Sequence, residues 1–164
     1  ISLIARQLNH AKEFGIDSHA LVGGYRAEKL VYDTKLIVNE KYLSTNSVYS
    51  AFLVREFVKE DVIISYADLV YSTNLFAKLL QSDKPIGILA DAEWKQYWLW
   101  RYGDLNTDLE TFEVMDEQVV SLGSVAWSAN EITYRYVGIN RFSYTAYQLL
   151  MNFYDFTLII YRSN

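Results

Sequence analysis

The segment from Asn39 to Ser50 places polar side chains at short intervals immediately before a helix-forming stretch. The first turn of a helix has backbone N–H groups without intrahelical partners, and these groups suit an anion or the polar edge of a ligand. Thr45, Asn46 and Ser50 are therefore candidate ligand-binding residues. A structural role is the alternative, because Thr45 and Asn46 are also good helix caps. Residue type and spacing leave both interpretations open.

An acidic residue, Asp68, follows a near-continuous apolar run from Asp61 to Tyr66. Such a run is typical of a strand that is covered on both faces. Ligands of open parallel sheets bind beyond the carboxyl ends of the strands, so Asp68 occupies a position suited to function. A carboxylate there can hold Mg²⁺ against a phosphate. An ordinary turn aspartate is the alternative, and the sequence does not separate the two.

An aromatic and basic stripe lies on the predicted helix that follows Asp91. Its members share one face because they occur at i, i+3, i+4 and i+7, and they are Trp94, Tyr97, Trp98 and Arg101. Tryptophan rings attract cations, and an arginine can form a two-pronged pair with phosphate. A phosphorylated quaternary amine would use both groups. Aromatic stripes are also common in protein cores, which is the competing interpretation.

Other sequence signals for catalysis are weak. His10 and His19 have no histidine or cysteine partner at metal-ligand spacing, and no P-loop, GxSxG or GxGxxG pattern occurs. The pair Gly23-Gly24 would let a loop approach a ligand closely, but such pairs are also common in turns.

Composition and charge describe an ordinary globular protein. The chain has 164 residues, of which 51% are hydrophobic and 21% charged, and it contains no cysteine, so disulfides are excluded. The net charge of -5 provides no basic surface for nucleic acid. The longest apolar runs are too short to cross a bilayer. We therefore expect a single cytoplasmic domain over residues 1–164, with neither a nucleic acid nor a membrane as partner.

Helices and strands are predicted to alternate along the chain. Apolar spacing and cap residues predict helices over 4–14, 48–57, 74–80 and 92–102, and from Ser143 to about 154. Apolar runs predict strands over 19–24, 36–38, 61–66, 85–90, 131–142 and 157–161, and a hairpin of 111–114 with 118–122. This alternation predicts an α/β fold with a mostly parallel sheet and helices on both faces.

Seven segments together resemble the nucleotidyltransferase family that includes bacterial phosphocholine and sugar-phosphate cytidylyltransferases. They cover roughly residues 1 to 150 and are, in chain order, LIARQLNHAKEFGI, GGYRAEK, NEKYLSTNSVYS, DVIISYADLVY, ILADAEWKQYWLWR, VSLG and YRYVGINRFS. The resemblance implies a Rossmann-like three-layer fold that binds CTP or another nucleotide with Mg²⁺, together with a phosphocholine-like or sugar-phosphate acceptor. In the family the acceptor phosphate attacks the α-phosphorus of the nucleotide, and pyrophosphate leaves.

The resemblance also implies roles for the candidate residues. Asp68 matches the metal-binding aspartate, and Thr45, Asn46 and Ser50 match the segment that lines the nucleotide site. The acceptor side is matched by a larger set: Asp91, Trp94, Tyr97, Arg101, Tyr136 and Gly138. Trp98 joins this substrate-binding set through the aromatic stripe.

The sequence departs from the family pattern at its start. Members of the family have a strand, a glycine-rich phosphate loop and a lysine ahead of the helix with which this sequence opens. Without that loop the charge of the transition state has few partners. We therefore expect an N-terminally truncated domain that lacks full catalytic activity and keeps a phosphorylated-acceptor pocket. An active CTP-dependent enzyme whose loop is supplied elsewhere, and a non-catalytic interaction or oligomerisation module, are the alternatives.

The strand that the sequence lacks is central in the family's sheet, so its absence would leave two unpaired strand edges beside a gap. We expect the apolar run from Thr157 to Tyr161 to form a strand that fills this gap. The strand would come from the same chain or from the partner in a swapped homodimer.

Overall fold

The computed structural model describes the backbone of residues 1–162 and the side chains of residues 1–155 and 157. Helices and strands alternate along this part of the chain, which confirms the predicted α/β class. The helices are α1 (Leu3–Glu13), α2 (Ser47–Leu53), α3 (Thr73–Gln81), α4 (Trp94–Tyr102) and α5 (Tyr144–Arg162). The strands are β1 (Ala20–Gly23), β2 (Lys35–Val38), β3 (Val62–Ser65), β4 (Ile86–Asp91), β5 (Glu110–Met115), β6 (Gln118–Val125) and β7 (Arg135–Phe142).

The chain divides into two compact units. The first unit consists of Ile1–Gly87 together with the C-terminal part from Asn140, and the second consists of Ile88–Ile139. The second unit is therefore inserted into the sequence of the first. A single domain over 1–164 stays a prediction. None of the helices within residues 1–162 is both long enough and apolar enough to cross a membrane.

The described strands form three sheets. β1 and β2 are parallel, with Ala20 opposite Lys35 and Gly23 opposite Val38. A second sheet has the strand order β3-β7-β4, and β5 pairs with β6 in the third. The parallel β1–β2 pair supplies part of the mostly parallel sheet that the sequence predicts.

Local sequence explains where the helices of the first unit begin and end. The Ser2 hydroxyl accepts the Ala5 N–H at the start of α1, and Asn46 and Ser72 cap α2 and α3 in the same way. Gly15 lies just beyond the end of α1 with a φ of 73°, a left-handed conformation that favours glycine. The predicted termination of the first helix at Gly15 is confirmed.

Helix α5 provides the main core contact of the first unit. Tyr147 is fully buried and packs with Val58 and Met151. Its hydroxyl donates a hydrogen bond of 2.9 Å to the carbonyl of Ala51 in α2. A buried polar group needs such a partner, because an unsatisfied hydroxyl in the core costs about 1–3 kcal/mol. The bond therefore fixes α5 against α2.

One carboxylate holds the junction between β7 and α5. Asp61 Oδ2 accepts a charged hydrogen bond of 2.6 Å from Arg141, and its Oδ1 accepts the Tyr144 N–H at 2.9 Å. The Ser143 hydroxyl accepts the Ala146 N–H at 3.2 Å, which confirms Ser143 as the cap of the last helix.

The predicted hairpin of the second unit is confirmed. β5 and β6 are antiparallel, and Met115 pairs with Gln118 across a two-residue turn. Asp116 and Glu117 have φ values of 49° and 60°. Positive φ at both central positions is the geometry that matches the twist of the flanking strands, although asparagine and glycine adopt it more easily.

Four predicted elements need correction, and one of them, the strand predicted over 131–142, begins only at Arg135. The second helix ends at Leu53 rather than continuing to Phe57, and the fourth begins at Trp94, two residues after its predicted start. The strand predicted over Thr157–Tyr161 is wrong, because α5 continues through these residues to Arg162. No glycine or proline interrupts the segment from Tyr144 to Arg162. The Thr157 hydroxyl donates to the Phe153 carbonyl at 2.8 Å, one helical turn back, as a helical threonine can.

Candidate functional site

Asn39 is the centre of the polar loop that joins β2 to α2. It is buried, with 4% of its surface exposed, and its backbone N–H donates to the Gly23 carbonyl at the end of β1 at 2.8 Å. Its side-chain N–H₂ group donates to Thr45 Oγ1 at 3.0 Å and to Ser50 Oγ at 3.3 Å, and its Oδ1 accepts the Lys41 N–H. One buried amide therefore connects both ends of the loop.

The three candidate nucleotide-binding residues lie together around Asn39. The Thr45 hydroxyl donates to the Lys41 carbonyl at 2.8 Å, and the Ser50 hydroxyl donates to the Asn46 carbonyl at 3.4 Å. Asn46 Oδ1 accepts the Tyr49 N–H at 3.2 Å, which makes Asn46 the N-cap of α2. The structural interpretation of Asn46 is thus confirmed, and a ligand role remains a prediction.

Gly24 allows the polar loop to lie directly against the end of β1. A Cβ atom at this position would lie 2.5 Å from Cβ and 2.7 Å from Cγ of Tyr42, closer than real side chains approach. Glycine at position 24 is therefore required by close packing of the chain on itself.

Asp68 lies on an exposed turn after β3, and Gln7 of α1 holds that turn. The Gln7 side-chain N–H₂ group donates to the carbonyls of Tyr66 and Leu69 at 2.9 and 3.2 Å, and Gln7 Oε1 accepts the Ser65 hydroxyl at 3.1 Å. Gln7 thus binds both sides of the turn. No sequence signal identified it, because the contacts span about 60 residues.

A direct contact connects the Asp68 turn to the start of α2. The hydroxyls of Ser47 and Tyr66 are 3.3 Å apart, within hydrogen-bond distance. Ser47 follows Asn46, and Tyr66 lies two residues before Asp68. The structure therefore brings the polar loop and the acidic turn together in the first unit, and their roles toward a nucleotide and a metal remain predictions.

The turn that carries Asp68 offers few protein ligands to a metal ion. Within residues 1–162, no group of three His, Cys, Asp or Glu side chains is arranged to hold a metal. Asp68 is the one carboxylate of residues 66–70, and it is exposed. Mg²⁺ commonly binds proteins through one or two carboxylates and fills its other positions with water and substrate phosphates. Asp68 is chemically suited to that arrangement.

In the second unit, Trp94 and Trp98 belong to the core. They are 1% and 8% exposed and pack with Ala126, Ala129 and Ile132. The Trp98 indole N–H donates to the Thr107 carbonyl at 2.9 Å. The core interpretation of these two members of the stripe is therefore supported, and their role as substrate-binding residues remains a prediction.

Arg135 supplies the cation that lies on Trp98. Its guanidinium carbon is 3.8 Å from the centre of the Trp98 ring, and its Nη2 donates to the carboxylate of Asp108 at 2.8 Å. Only 5% of Arg135 is exposed. Sequence reasoning missed this residue, since nothing local marks an arginine at the start of a strand as a partner of a distant tryptophan.

The other candidates of the second unit are less buried, apart from one glycine. Tyr97 and Arg101 are exposed on α4, and the Arg101 guanidinium donates to the Tyr97 hydroxyl at 3.4 Å. Asp91 ends β4, and its Oδ1 accepts the Glu93 N–H at 2.7 Å, which guides the chain into α4. Tyr136 is half-buried in β7, where Gly138 is buried with a φ of 83°. Tyr97 and Arg101 form the polar end of the stripe.

The fold is that of a nucleotidyltransferase-like α/β protein. Two solved structures share the fold. The inositol-1-phosphate CTP transferase of T. maritima superimposes with a TM-score of 0.65 at 19% identity, covering 90% of this chain and 60% of that protein. A Bacillus anthracis protein assigned as a glucose-1-phosphate thymidylyltransferase has a TM-score of 0.64 at 10% identity, with coverage of 89% and 60%.

Sequence comparison finds cytidylyltransferases as relatives. The CTP:phosphoglutamine cytidylyltransferase of Campylobacter jejuni is 32% identical over 165 residues, which are 93% of this chain and 65% of that protein. The choline-phosphate cytidylyltransferase of Haemophilus influenzae is 37% identical over 44% of this chain and 33% of its own length. That of Streptococcus pneumoniae is 30% identical over 62% of this chain and 46% of its own length. No protein-family model matches the sequence. These similarities support a nucleotidyltransferase family for the chain, which spans less than two thirds of the length of each of these relatives.

Proposed function

We propose that this protein functions in cytidylyl transfer from CTP to a phosphorylated small molecule. The main support is the contact between the polar loop, which contains Thr45, Asn46 and Ser50, and the turn of Asp68. The hydroxyls of Ser47 and Tyr66 make this contact. Similarity to a CTP:phosphoglutamine cytidylyltransferase over 93% of the chain supports CTP as the nucleotide. A nucleotide bound against the loop would have its phosphates within reach of the only carboxylate of the turn.

In the proposed reaction, an oxygen of the acceptor phosphate forms a bond to the α-phosphorus of CTP. The bond from the α-phosphorus to the bridging oxygen breaks, and pyrophosphate carries away that electron pair. Thr45, Asn46 and Ser50 would orient the nucleotide through hydroxyl and amide groups that Asn39 holds in place. Asp68 would hold Mg²⁺, which supplies neutralisation of phosphate charge when bound. The role of the chain is mainly one of positioning.

The acceptor is proposed to resemble phosphoglutamine more than phosphocholine. The relative named for phosphoglutamine matches 93% of the chain, whereas the choline-phosphate enzymes match 44% and 62%. The stripe that includes Trp98 is predicted to bind a quaternary amine. The guanidinium carbon of Arg135 already lies 3.8 Å from the centre of the Trp98 ring. Tyr97 and Arg101, both exposed on α4, stay predicted residues of the acceptor side.

Binding without turnover is a second candidate function. The burial of Trp94 and Trp98 favours it, because these rings serve the core of the second unit in the structure. Under this proposal the chain keeps the nucleotide-binding loop and acts as a binding or interaction module.

Pyrophosphate release measured with CTP, Mg²⁺ and phosphoglutamine tests the proposed reaction, with phosphocholine as the comparison acceptor. Calorimetric titration of CTP–Mg²⁺ runs in parallel. We expect CTP to bind, and Asp68→Asn to remove the dependence of that binding on Mg²⁺ while Asp83→Asn, on another exposed aspartate, does not. Binding without pyrophosphate release would select the second candidate. Absence of CTP binding would contradict both.

Asn39 offers a second test of the nucleotide site. Asn39→Ala removes the donor to Thr45 and Ser50, so we expect CTP to bind roughly tenfold more weakly, the equivalent of about one hydrogen bond. Asn74→Ala, at an exposed position of α3, is the matched control and should leave the affinity unchanged. Equal affinities for wild type and Asn39→Ala would remove the polar loop from the nucleotide site.

A further inference from the structure

Arg135 lies against the aromatic stripe of α4 within the second unit. Its guanidinium carbon is 3.8 Å from the centre of the Trp98 ring and 5.8 Å from the centre of the Trp94 ring. An indole face attracts a cation at such distances, and the attraction strengthens when water is excluded. Arg135 is buried, so it makes these contacts away from water. The face of Trp98 that a quaternary amine would use is therefore covered by a cation of the chain itself.

The loop before β5 fixes both the ring and its cation. The Thr107 carbonyl accepts the Trp98 indole N–H at 2.9 Å. The next residue, Asp108, accepts hydrogen bonds from Arg135 Nη2 through its carbonyl and through its carboxylate, the latter at 2.8 Å. Asp108 has a φ of 56°, a left-handed conformation that aspartate adopts more readily than most residues. One loop thus holds the ring through Thr107 and the guanidinium through Asp108.

Arg135 keeps its place with few directional bonds. Its Nη1 atom is buried and has no hydrogen-bond partner among the described residues. An unsatisfied buried donor is destabilising, so the contact with the ring and the pair with Asp108 must outweigh it. Contact with an aromatic face and a nearby carboxylate also stabilises a quaternary ammonium group, which has no N–H to donate. The surroundings of Arg135 therefore suit a bulky cation in general.

The exposed part of α4 repeats this pattern. The guanidinium carbon of Arg101 is 6.0 Å from the centre of the Tyr97 ring and 5.0 Å from the centre of the Tyr102 ring. Each aromatic ring of the stripe thus has an arginine beside it, either Arg101 or Arg135. A further cation that approached these rings would be repelled by the like charge, whereas an anion would be attracted.

We propose that Arg135 determines the class of acceptor, because its guanidinium occupies the position that a quaternary ammonium group would take on Trp98. Its meaning as a specificity-determining residue rests on the proposed function, whereas the position of its guanidinium does not. Acceptors with a quaternary amine are rejected, and those with an anionic or uncharged group in that place are accepted. Removal of the guanidinium should turn the Trp98 face into a site for such amines, with the Asp108 carboxylate as counter-ion.

Titration with tetramethylammonium chloride tests the proposal without nucleotide. Binding is followed by calorimetry and by tryptophan fluorescence, with sodium chloride at equal concentration as the reference. We expect no saturable binding by wild type, and binding by Arg135→Ala that is roughly tenfold tighter than the detection limit or more. Uncharged tert-butanol has a similar size and should bind to Arg135→Ala roughly tenfold more weakly than tetramethylammonium does, because the ring and the carboxylate attract charge.

Arg26→Ala is the matched control. It removes an arginine whose guanidinium carbon lies 5.0 Å from the centre of the exposed Tyr25 ring, and it should gain no binding. Circular dichroism verifies that both variants fold. If Arg135→Ala does not fold, tetramethylammonium but not sodium chloride should restore its spectrum. Binding by wild type, neither binding nor rescue of Arg135→Ala, or equal binding of tert-butanol would overturn the proposal.

Pyrophosphate release connects the site to acceptor choice. With CTP and Mg²⁺, Arg135→Ala should raise the rate with phosphocholine relative to that with phosphoglutamine by roughly tenfold. An unchanged ratio in a variant that binds both CTP and tetramethylammonium would overturn the role in acceptor choice. Absence of CTP binding by wild type would instead contradict the proposed function, and the tetramethylammonium titration would still decide whether Arg135 occupies a cation site.

Discussion

At the scale of single residues, the polar loop between β2 and α2 satisfies many of its hydrogen bonds within itself. Asn39 uses its N–H₂ group and its carbonyl oxygen on Thr45, Ser50 and Lys41. Gln7 does the same for the turn that carries Asp68. Two amide side chains thus hold the two halves of the candidate site, while Asn46 and Asp68 stay exposed. Amides suit this task because they both donate and accept.

The buried phenol of Tyr147 predicts a pH dependence of stability. Burial raises the pKa of Tyr147 from 10.0 to about 12, although the charge of Arg55 opposes the shift. The unfolded chain loses this proton near pH 10, whereas the folded protein keeps it until about pH 12. The stabilising contribution is therefore complete below pH 10 and is lost as the pH rises from 10 to 12.

Urea denaturation between pH 9 and 12 checks this expectation. Tyr147→Phe should weaken the fall of the unfolding free energy in that interval, and should cost about 1 kcal/mol at neutral pH through loss of the bond to Ala51. Tyr25→Phe, at a tyrosine with 67% exposure, is the matched control. Identical pH profiles for wild type and Tyr147→Phe would contradict the assignment.

At the scale of elements, the cap of α5 is a testable stabilising contact. Ser143→Ala removes the acceptor for the Ala146 N–H, so we expect the unfolding free energy to fall by about 1 kcal/mol. Ser143→Asp keeps an acceptor and should retain most of the stability. Ser124→Ala, at an exposed position of β6, is the control, and urea denaturation at pH 7 gives all four values. If Ser143→Ala lowered the unfolding free energy by no more than Ser124→Ala does, the cap would contribute nothing to stability.

Residues 157–161 were predicted as a strand and are helical, which shows that local sequence can leave the type of secondary structure ambiguous. A short apolar run fits a buried strand or a helix equally well by periodicity. The deciding facts are that nothing between Tyr154 and Thr157 ends the helix and that the Thr157 hydroxyl bonds to Phe153. In contrast, the hairpin at Asp116 and the caps at Asn46 and Ser143 were predictable, because their causes lie within a few residues.

At the scale of the whole molecule, the inserted second unit has its own core around two tryptophans. Trp94→Ala removes a side chain that is 1% exposed, so a loss of about 3–5 kcal/mol is expected. Hydrogen exchange measured by mass spectrometry should accelerate most over 88–139. Trp100→Ala, at a tryptophan of the same helix with 78% exposure, should change neither quantity appreciably. Uniform acceleration over 1–87 and 88–139 would show that the two units unfold together.

The α/β class and the order of elements were predictable because each element carries its own apolar pattern. The arrangement of the candidate site was only partly predictable. Thr45, Asn46 and Ser50 lie together because they are close in sequence, but Gln7 and Arg135 act through contacts with distant residues. The division into units at Gly87 and Ile139 had no signal, since no linker composition marks either boundary.

The bonding around Asn39 also bears on the thermodynamics of ligand association. Because Thr45, Ser50 and Lys41 are already tethered to one buried amide, the loop has lost its conformational freedom during folding. A molecule that docks against a prearranged loop has little ordering entropy left to overcome, which strengthens its affinity. The same rigidity limits the range of molecular shapes that the loop can accommodate.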